Sequence, residues 1–154
     1  MSSEKPEIPN SLNEHWMPFS SNRDFKANPR LITEAKGVYL KNHQGQTQID
    51  ASSGLFCNPL GHGREEIINA VTNQLRKLDY AQPFQQGFGG SFELATKIAK
   101  HTPGNLNRIF YTICGSTAVE TAIKISIAYH KARGEGHRFR FVGRERAYHG
   151  MNIG

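Results

Sequence analysis

A chain of 154 residues suits one domain. Its 37% apolar content is enough for a core, and its excess of 19 basic over 13 acidic side chains, net +6, admits anionic ligands or nucleic acid as partners. No stretch approaches the ~20 apolar residues of a membrane-spanning helix, and Cys57 and Cys114, without a secretory segment in Met1–Asn10, read as free thiols in a reducing compartment. A disulfide scaffold and a helical membrane protein are thereby excluded, and a cytoplasmic location is expected.

Residues 1–12 are polar and interrupted by Pro6 and Pro9, which predicts a flexible N-terminus. A short amphipathic segment follows at Ser11–Trp16. Apolar and polar residues alternate on both sides of Asn42-His-Gln-Gly45, so Gly37–Asp50 reads as a two-stranded hairpin with glycine in its turn. Ile67, Ala70, Val71, Gln74 and Leu75 recur at helical spacing and predict a helix over Arg64–Leu78. A glycine-rich loop at Phe84–Gly90 leads to a second helix at Ser91–His101, with Ser91 as N-cap and Glu93 in its first turn. Pro103-Gly104 ends that helix.

Ile109–Ile113 reads as a strand that turns through Gly115-Ser116 into a helix reaching about Arg133. The apolar stripe of that helix is Ala118, Ala122, Ile125 and Tyr129, and Gly134 is its stop signal. Arg138 and Arg140 alternate with Phe139 and Phe141 in a further strand over Arg138–Gly143. Strand, helix and strand in this order predict a βαβ crossover, hence part of a parallel sheet that needs more strands than this chain supplies. The basic cluster of Arg133, His137, Arg138, Arg140, Arg144 and Arg146 reads as a solvated face, or one that meets a partner segment. No nucleic-acid motif accompanies it.

A strand that turns through glycine into a helix aims free N–H groups at the positive end of the helix dipole, and phosphate is the commonest occupant of such a turn. The competing reading is local. Thr117-x-x-Glu120 fits a capping box, in which Ser116 or Thr117 does no more than satisfy the helix end. The turn alone leaves both open, although Cys-Gly-Ser-Thr lacks the dinucleotide-binding glycine fingerprint.

Taken together, His15-Trp-Met-Pro-Phe19, the Gly37–Asp50 hairpin, Ser53-Gly-Leu-Phe-Cys57, Gly61-His-Gly-Arg-Glu-Glu66, Gln82-Pro-Phe84, Gly115-Ser116 and Gly143-Arg-Glu-Arg-Ala-Tyr-His-Gly150 resemble, in order and spacing, the N-terminal part of a class III (fold-type I) aminotransferase. Within that family the chain is most similar to the omega-amino-acid:pyruvate group. The resemblance implies an incomplete α/β fold. Residues 13–84, with the hairpin at 37–50, would contribute to the small domain, and residues 85–154 would begin the large domain that binds pyridoxal 5′-phosphate. It implies an omega-amino acid or amine donor, pyruvate as acceptor, and a homodimer, with no nucleic-acid or membrane partner.

The resemblance also assigns roles. Gly115 and Ser116 match the positions that bind the cofactor phosphate, Tyr148 the aromatic residue against the pyridine ring, and His149 its structural hydrogen-bonding neighbour. Leu55 and Phe56 match a segment that shapes the substrate side, and Phe19 a substrate-pocket aromatic. Buried apolar packing is the plain alternative for Phe19 and Phe56, and a core tyrosine for Tyr148. The chain departs from the family at Ile113-Cys-Gly-Ser-Thr-Ala118, where the family usually has Asn-Ser-Gly-Ser-Glu-Ala. Transamination needs a lysine that forms a Schiff base and an acid that pairs with the pyridine nitrogen. Neither Lys36, Lys41, Lys77, Lys97, Lys100, Lys124 nor Lys131 stands in a matching context, so no catalytic residue and no metal ligand is assigned. In the family both groups lie far C-terminal to this segment, and an end at Gly154 is no natural domain edge. A truncated reading frame is expected, with a split enzyme as the alternative. Two rivals from other classes are a non-catalytic phosphate- or cofactor-binding module and a basic nucleic-acid-binding fragment.

Overall fold

The structure, a computed structural model, describes residues 8–153; most of the expected flexible terminus lies outside them. The chain divides into two compact units, Met1–Tyr80 and Ala81–Gly154.

In the first unit a short helix, α1 (Asn22–Ala27), precedes a three-stranded antiparallel sheet of β1 (Ile32–Lys36), β2 (Tyr39–Asn42) and β3 (Thr47–Ile49), in that order. The predicted hairpin is β2–β3, with Tyr39 opposite Ile49 and Lys41 opposite Thr47. Asn42 builds its turn: the side-chain oxygen accepts from the N–H groups of Gln44 (3.0 Å) and Gln46 (2.9 Å), while Gly45 takes φ +80°. Sequence pattern missed β1, which pairs with β2 through a tight turn at Gly37 (φ +57°) and sets Glu34 against Lys41 at 3.0 Å. It missed α1 as well. Asn22 fixes the entry to that helix by exchanging two 2.9 Å bonds with the backbone of Met17, whereas the expected amphipathic segment at Ser11–Trp16 is not helical. Helix α2 (Glu65–Lys77) matches the expectation and carries Glu65 and Glu66 in its first turn, Arg76 and Lys77 in its last, as the dipole favours.

The second unit holds α3 (Gly89–Ala99) and α4 (Gly115–Ala132). Helix α3 starts two residues before Ser91, so Ser91 is not its cap; its hydroxyl donates back to the Phe88 carbonyl at 2.7 Å, and Glu93 lies beyond the first turn. The two strands expected on either side of α4 are not formed: residues 109–113 and 138–143 carry no ladder hydrogen bonds. A strand is stabilised by its neighbours, and among the described residues neither segment has one.

No described side chain is fully buried. The α2 stripe stays open, with Ile67, Val71 and Leu75 about half exposed. The expected stripe of α4 is likewise exposed, and its half-buried residues include Ser116, Val119, Glu120 and Ile123 instead. The cause is local: the segment after Tyr148 lies on that side of the helix, as described next.

Candidate functional site

Cys114, in extended conformation (φ −161°, ψ 169°), is the N-cap of α4, and no side chain caps the helix. The first bond of the helix runs from Ala118 N–H to the Cys114 carbonyl at 3.0 Å. The N–H groups of Gly115, Ser116 and Thr117 therefore precede the first intrahelical bond and point out of the helix start. The capping box does not form. Thr117 and Glu120 are inside the helix; Glu120 pairs with Lys124 Nζ at 2.6 Å, and the Thr117 hydroxyl lies 3.2 Å from the Cys114 sulfur. That hydroxyl holds the Cys114 thiol below its ordinary range, helped by the Thr117 and Ser116 N–H groups and opposed by partial burial.

The Tyr148-His149-Gly150 motif comes to the same turn. Met151 N–H donates to Ser116 Oγ at 3.1 Å, and the Asn152 amide donates to Glu120 Oε2 at 2.8 Å. Gly150 (φ +119°) packs so closely that a Cβ there would lie 2.7 Å from Ser116 Cα and 2.9 Å from Ser116 Oγ. Lys124 and Asn152 together lower the Glu120 carboxyl below its usual range, Lys124 contributing most. Tyr148 is 71% exposed. The His149 ring edge lies against Gly143, 3.3 Å from where a Cβ would sit.

These contacts meet the requirements of a phosphate group. Ser116 Oγ accepts from Met151, so its own proton stays available to a phosphate oxygen. Around Gly115 a Cβ would meet nothing within 4 Å. The Gly115-Ser116 turn thus has the donors that a phosphate group needs. Sequence reasoning missed the anchors Met151 and Asn152, as well as the capping position of Cys114. A polar residue shortly after Gly150 was the available signal for Asn152.

Phe19, Leu55 and Phe56 belong to the first unit. All three have positive φ (51°, 55° and 69°) and are 84%, 74% and 84% exposed. Phe19 lines a groove with Ser21, Asp24, Phe25, Asn28 and Arg30. Leu55 and Phe56 stand side by side on a turn between β3 and α2.

Solved structures with this fold are fold-type I transaminases. An omega transaminase from Pseudomonas jessenii in complex with PMP superposes with a TM-score of 0.87 at 27% identity, over 93% of this chain and 32% of that one. Adenosylmethionine-8-amino-7-oxononanoate aminotransferase from Methanocaldococcus jannaschii gives 0.86 at 34% identity, over 92% and 32%. The family model "Aminotransferase class-III" matches residues 20–154, and the chain belongs to that family. It is 44% identical to an omega-aminotransferase of Caulobacter vibrioides over 145 residues, which are 94% of this chain and 33% of the relative. It is 46% identical to an omega-amino acid–pyruvate aminotransferase of Pseudomonas putida over 142 residues, 92% and 32% of the two. The chain thus spans about a third of the length of the curated relatives it matches. Among the described residues no helix is long and apolar enough to cross a membrane.

Proposed function

We propose that this chain carries the phosphate turn, the ring-facing tyrosine and part of the substrate side of a pyridoxal-phosphate-dependent aminotransferase that moves an amino group from an omega-amino acid or amine to pyruvate. The observation that carries the reading is the open helix start at Gly115-Ser116 with Gly150 and Met151 seated on Ser116. Bound there, the cofactor supplies an aldehyde that takes up the amino group and a pyridine ring that draws off electrons. Gly115 and Ser116 hold its phosphate, Tyr148 lies against the ring with His149 behind it, and Phe19, Leu55 and Phe56 shape the substrate side. Residues 13–84 serve the small domain and residues 85–154 the large one; the working enzyme is a cytoplasmic homodimer. Relatives described as acting on pyruvate and omega-amino acids support the substrate assignment.

On its own the chain is not a catalyst, because none of its lysines stands in the family's covalent context. Incubation with pyridoxal phosphate, borohydride reduction and digestion test this. Scattered, substoichiometric lysine labelling without pyruvate-dependent turnover is expected. One stoichiometrically labelled lysine, with turnover lost on its replacement by alanine, contradicts the inactivity. Failure of the cofactor to bind contradicts the assignment of the turn.

A further inference from the structure

The turn that displays Leu55 and Phe56 is left-handed over four consecutive residues: Ser53 (φ 51°), Gly54 (58°), Leu55 (55°) and Phe56 (69°). Only one of them is glycine. For an L-residue this conformation brings Cβ against the following carbonyl, so single residues adopt it and runs do not. Such backbone persists where its surroundings over-determine it.

Those surroundings are polar and specific. Asp50, its side chain 7% exposed, closes the turn from one end. One carboxylate oxygen accepts from Ser52 N–H (3.2 Å) and Ser52 Oγ (3.0 Å), the other from Gly54 N–H (2.8 Å) and His62 Nε2 (3.0 Å). His62 closes it from the other end, with Nδ1 2.8 Å from the side-chain amide of Asn58. A carboxylate only accepts and an amide NH2 only donates, so the imidazole carries its proton on Nε2. The ring is itself fixed, because His62 and Gly37 exchange two backbone bonds of 2.8 and 2.9 Å that tie it to the end of β1. Asn58 N–H returns to the Ser53 carbonyl at 2.8 Å and Phe56 N–H to that of Ser52 at 2.9 Å. The sheet thus grips both ends of the turn while its two large side chains project outward.

We propose that Asp50, His62 and Asn58 are positioning residues for the substrate side of the site: they clamp the 53–56 turn left-handed and so set the direction in which Leu55 and Phe56 face substrate. This rests on the reading that those two side chains shape the pocket. Neither Asp50 nor His62 touches the reacting atoms in this role.

The test compares the chain with Asp50→Asn, His62→Ala and His62→Gln. Glutamine keeps a donor toward Asp50 on a side chain of similar reach. Selective labelling of Leu and Phe allows coupling constants that report the sign of φ at residues 55 and 56, along with amide exchange at Phe56 and Asn58. Positive φ is expected in the wild type and in His62→Gln. In Asp50→Asn and His62→Ala it is lost, and exchange at the two amides quickens roughly tenfold or more, with the β1–β3 amides unchanged. Couplings that keep positive φ in Asp50→Asn and His62→Ala overturn the clamp. Pyridoxal phosphate affinity is measured on the same proteins. Absence of cofactor binding in every variant, wild type included, overturns the functional reading and leaves the clamp standing on the couplings.

Discussion

Replacing Gly150 by alanine tests whether the Tyr148-His149-Gly150 segment is seated on the phosphate turn. The added Cβ would lie 2.7 Å from Ser116 Cα and 2.9 Å from both Ser116 Cβ and Oγ, on a residue at φ +119°. The disfavoured backbone costs about 1–3 kcal/mol and the forced contact about another 1–3 kcal/mol. Helix α4 cannot yield at Ser116 without breaking its first turn. The Met151–Ser116 bond opposes release by about 1 kcal/mol and the Asn152 bond to the Glu120 carboxylate by about 1.5–3 kcal/mol. The strain matches or exceeds the two together, so the segment is expected to lift from Ser116 at Gly150 and Met151. In amide spectra Met151 should move to an unstructured position and lose exchange protection. Pyridoxal phosphate affinity should fall roughly three- to tenfold as the Tyr148 ring is released. An alanine variant whose Met151 amide stays in place refutes the packing argument.

The Asp50 carboxyl is held below its ordinary value chiefly by the hydrogen bond from His62, against a smaller opposing effect of burial. A group lowered on folding adds stability above its unfolded value and loses it as pH falls through the folded one. The 53–56 turn should therefore melt out below the ordinary aspartate range, and the same acid profile in Asp50→Asn contradicts this. At Cys114 the Thr117 hydroxyl is the main cause of the lowered thiol, so Thr117→Val should slow alkylation of Cys114 at neutral pH; equal rates contradict the contact. Half-exposed Ile67, Val71 and Leu75 on α2, with Phe92 at 69%, leave apolar surface whose burial is worth about 25 cal/mol per Å2. Sedimentation should show self-association, and a monodisperse monomer with a sharp cooperative melt opposes it.

Elements set by local pattern were legible. Helix α2 follows from the spacing of Ile67, Val71 and Leu75, and the β2–β3 hairpin from alternation around Gly45. Elements that depend on distant partners were not. The segments at 109–113 and 138–143 read as strands in the sequence, yet pairing is non-local and no ladder forms between them. Helix starts misled for a different reason. Gly89 and Cys114 are poor start signals, whereas Ser91 and Thr117 are good ones, and the helices begin at Gly89 and Gly115. At the start of α4, motif spacing pointed to Gly115, Ser116 and Tyr148, but the packing of Gly150 on Ser116 was not legible in it. The left-handed run at 53–56 is illegible in Ser-Gly-Leu-Phe, because the residues that impose it, Asp50 and His62, lie outside it.

The central claim is that the amides at Gly115 and Ser116 receive the phosphate of pyridoxal phosphate. Calorimetric titration of the wild type, Gly115→Ala and Gly115→Asp with pyridoxal phosphate, and with pyridoxal lacking the phosphate, tests it most directly. A Cβ at residue 115 meets nothing within 4 Å, so alanine should bind much like the wild type. Aspartate sets a like charge at the phosphate and should abolish binding, and unphosphorylated pyridoxal should bind weakly to all three. Equal binding of pyridoxal phosphate by the wild type and Gly115→Asp contradicts the account.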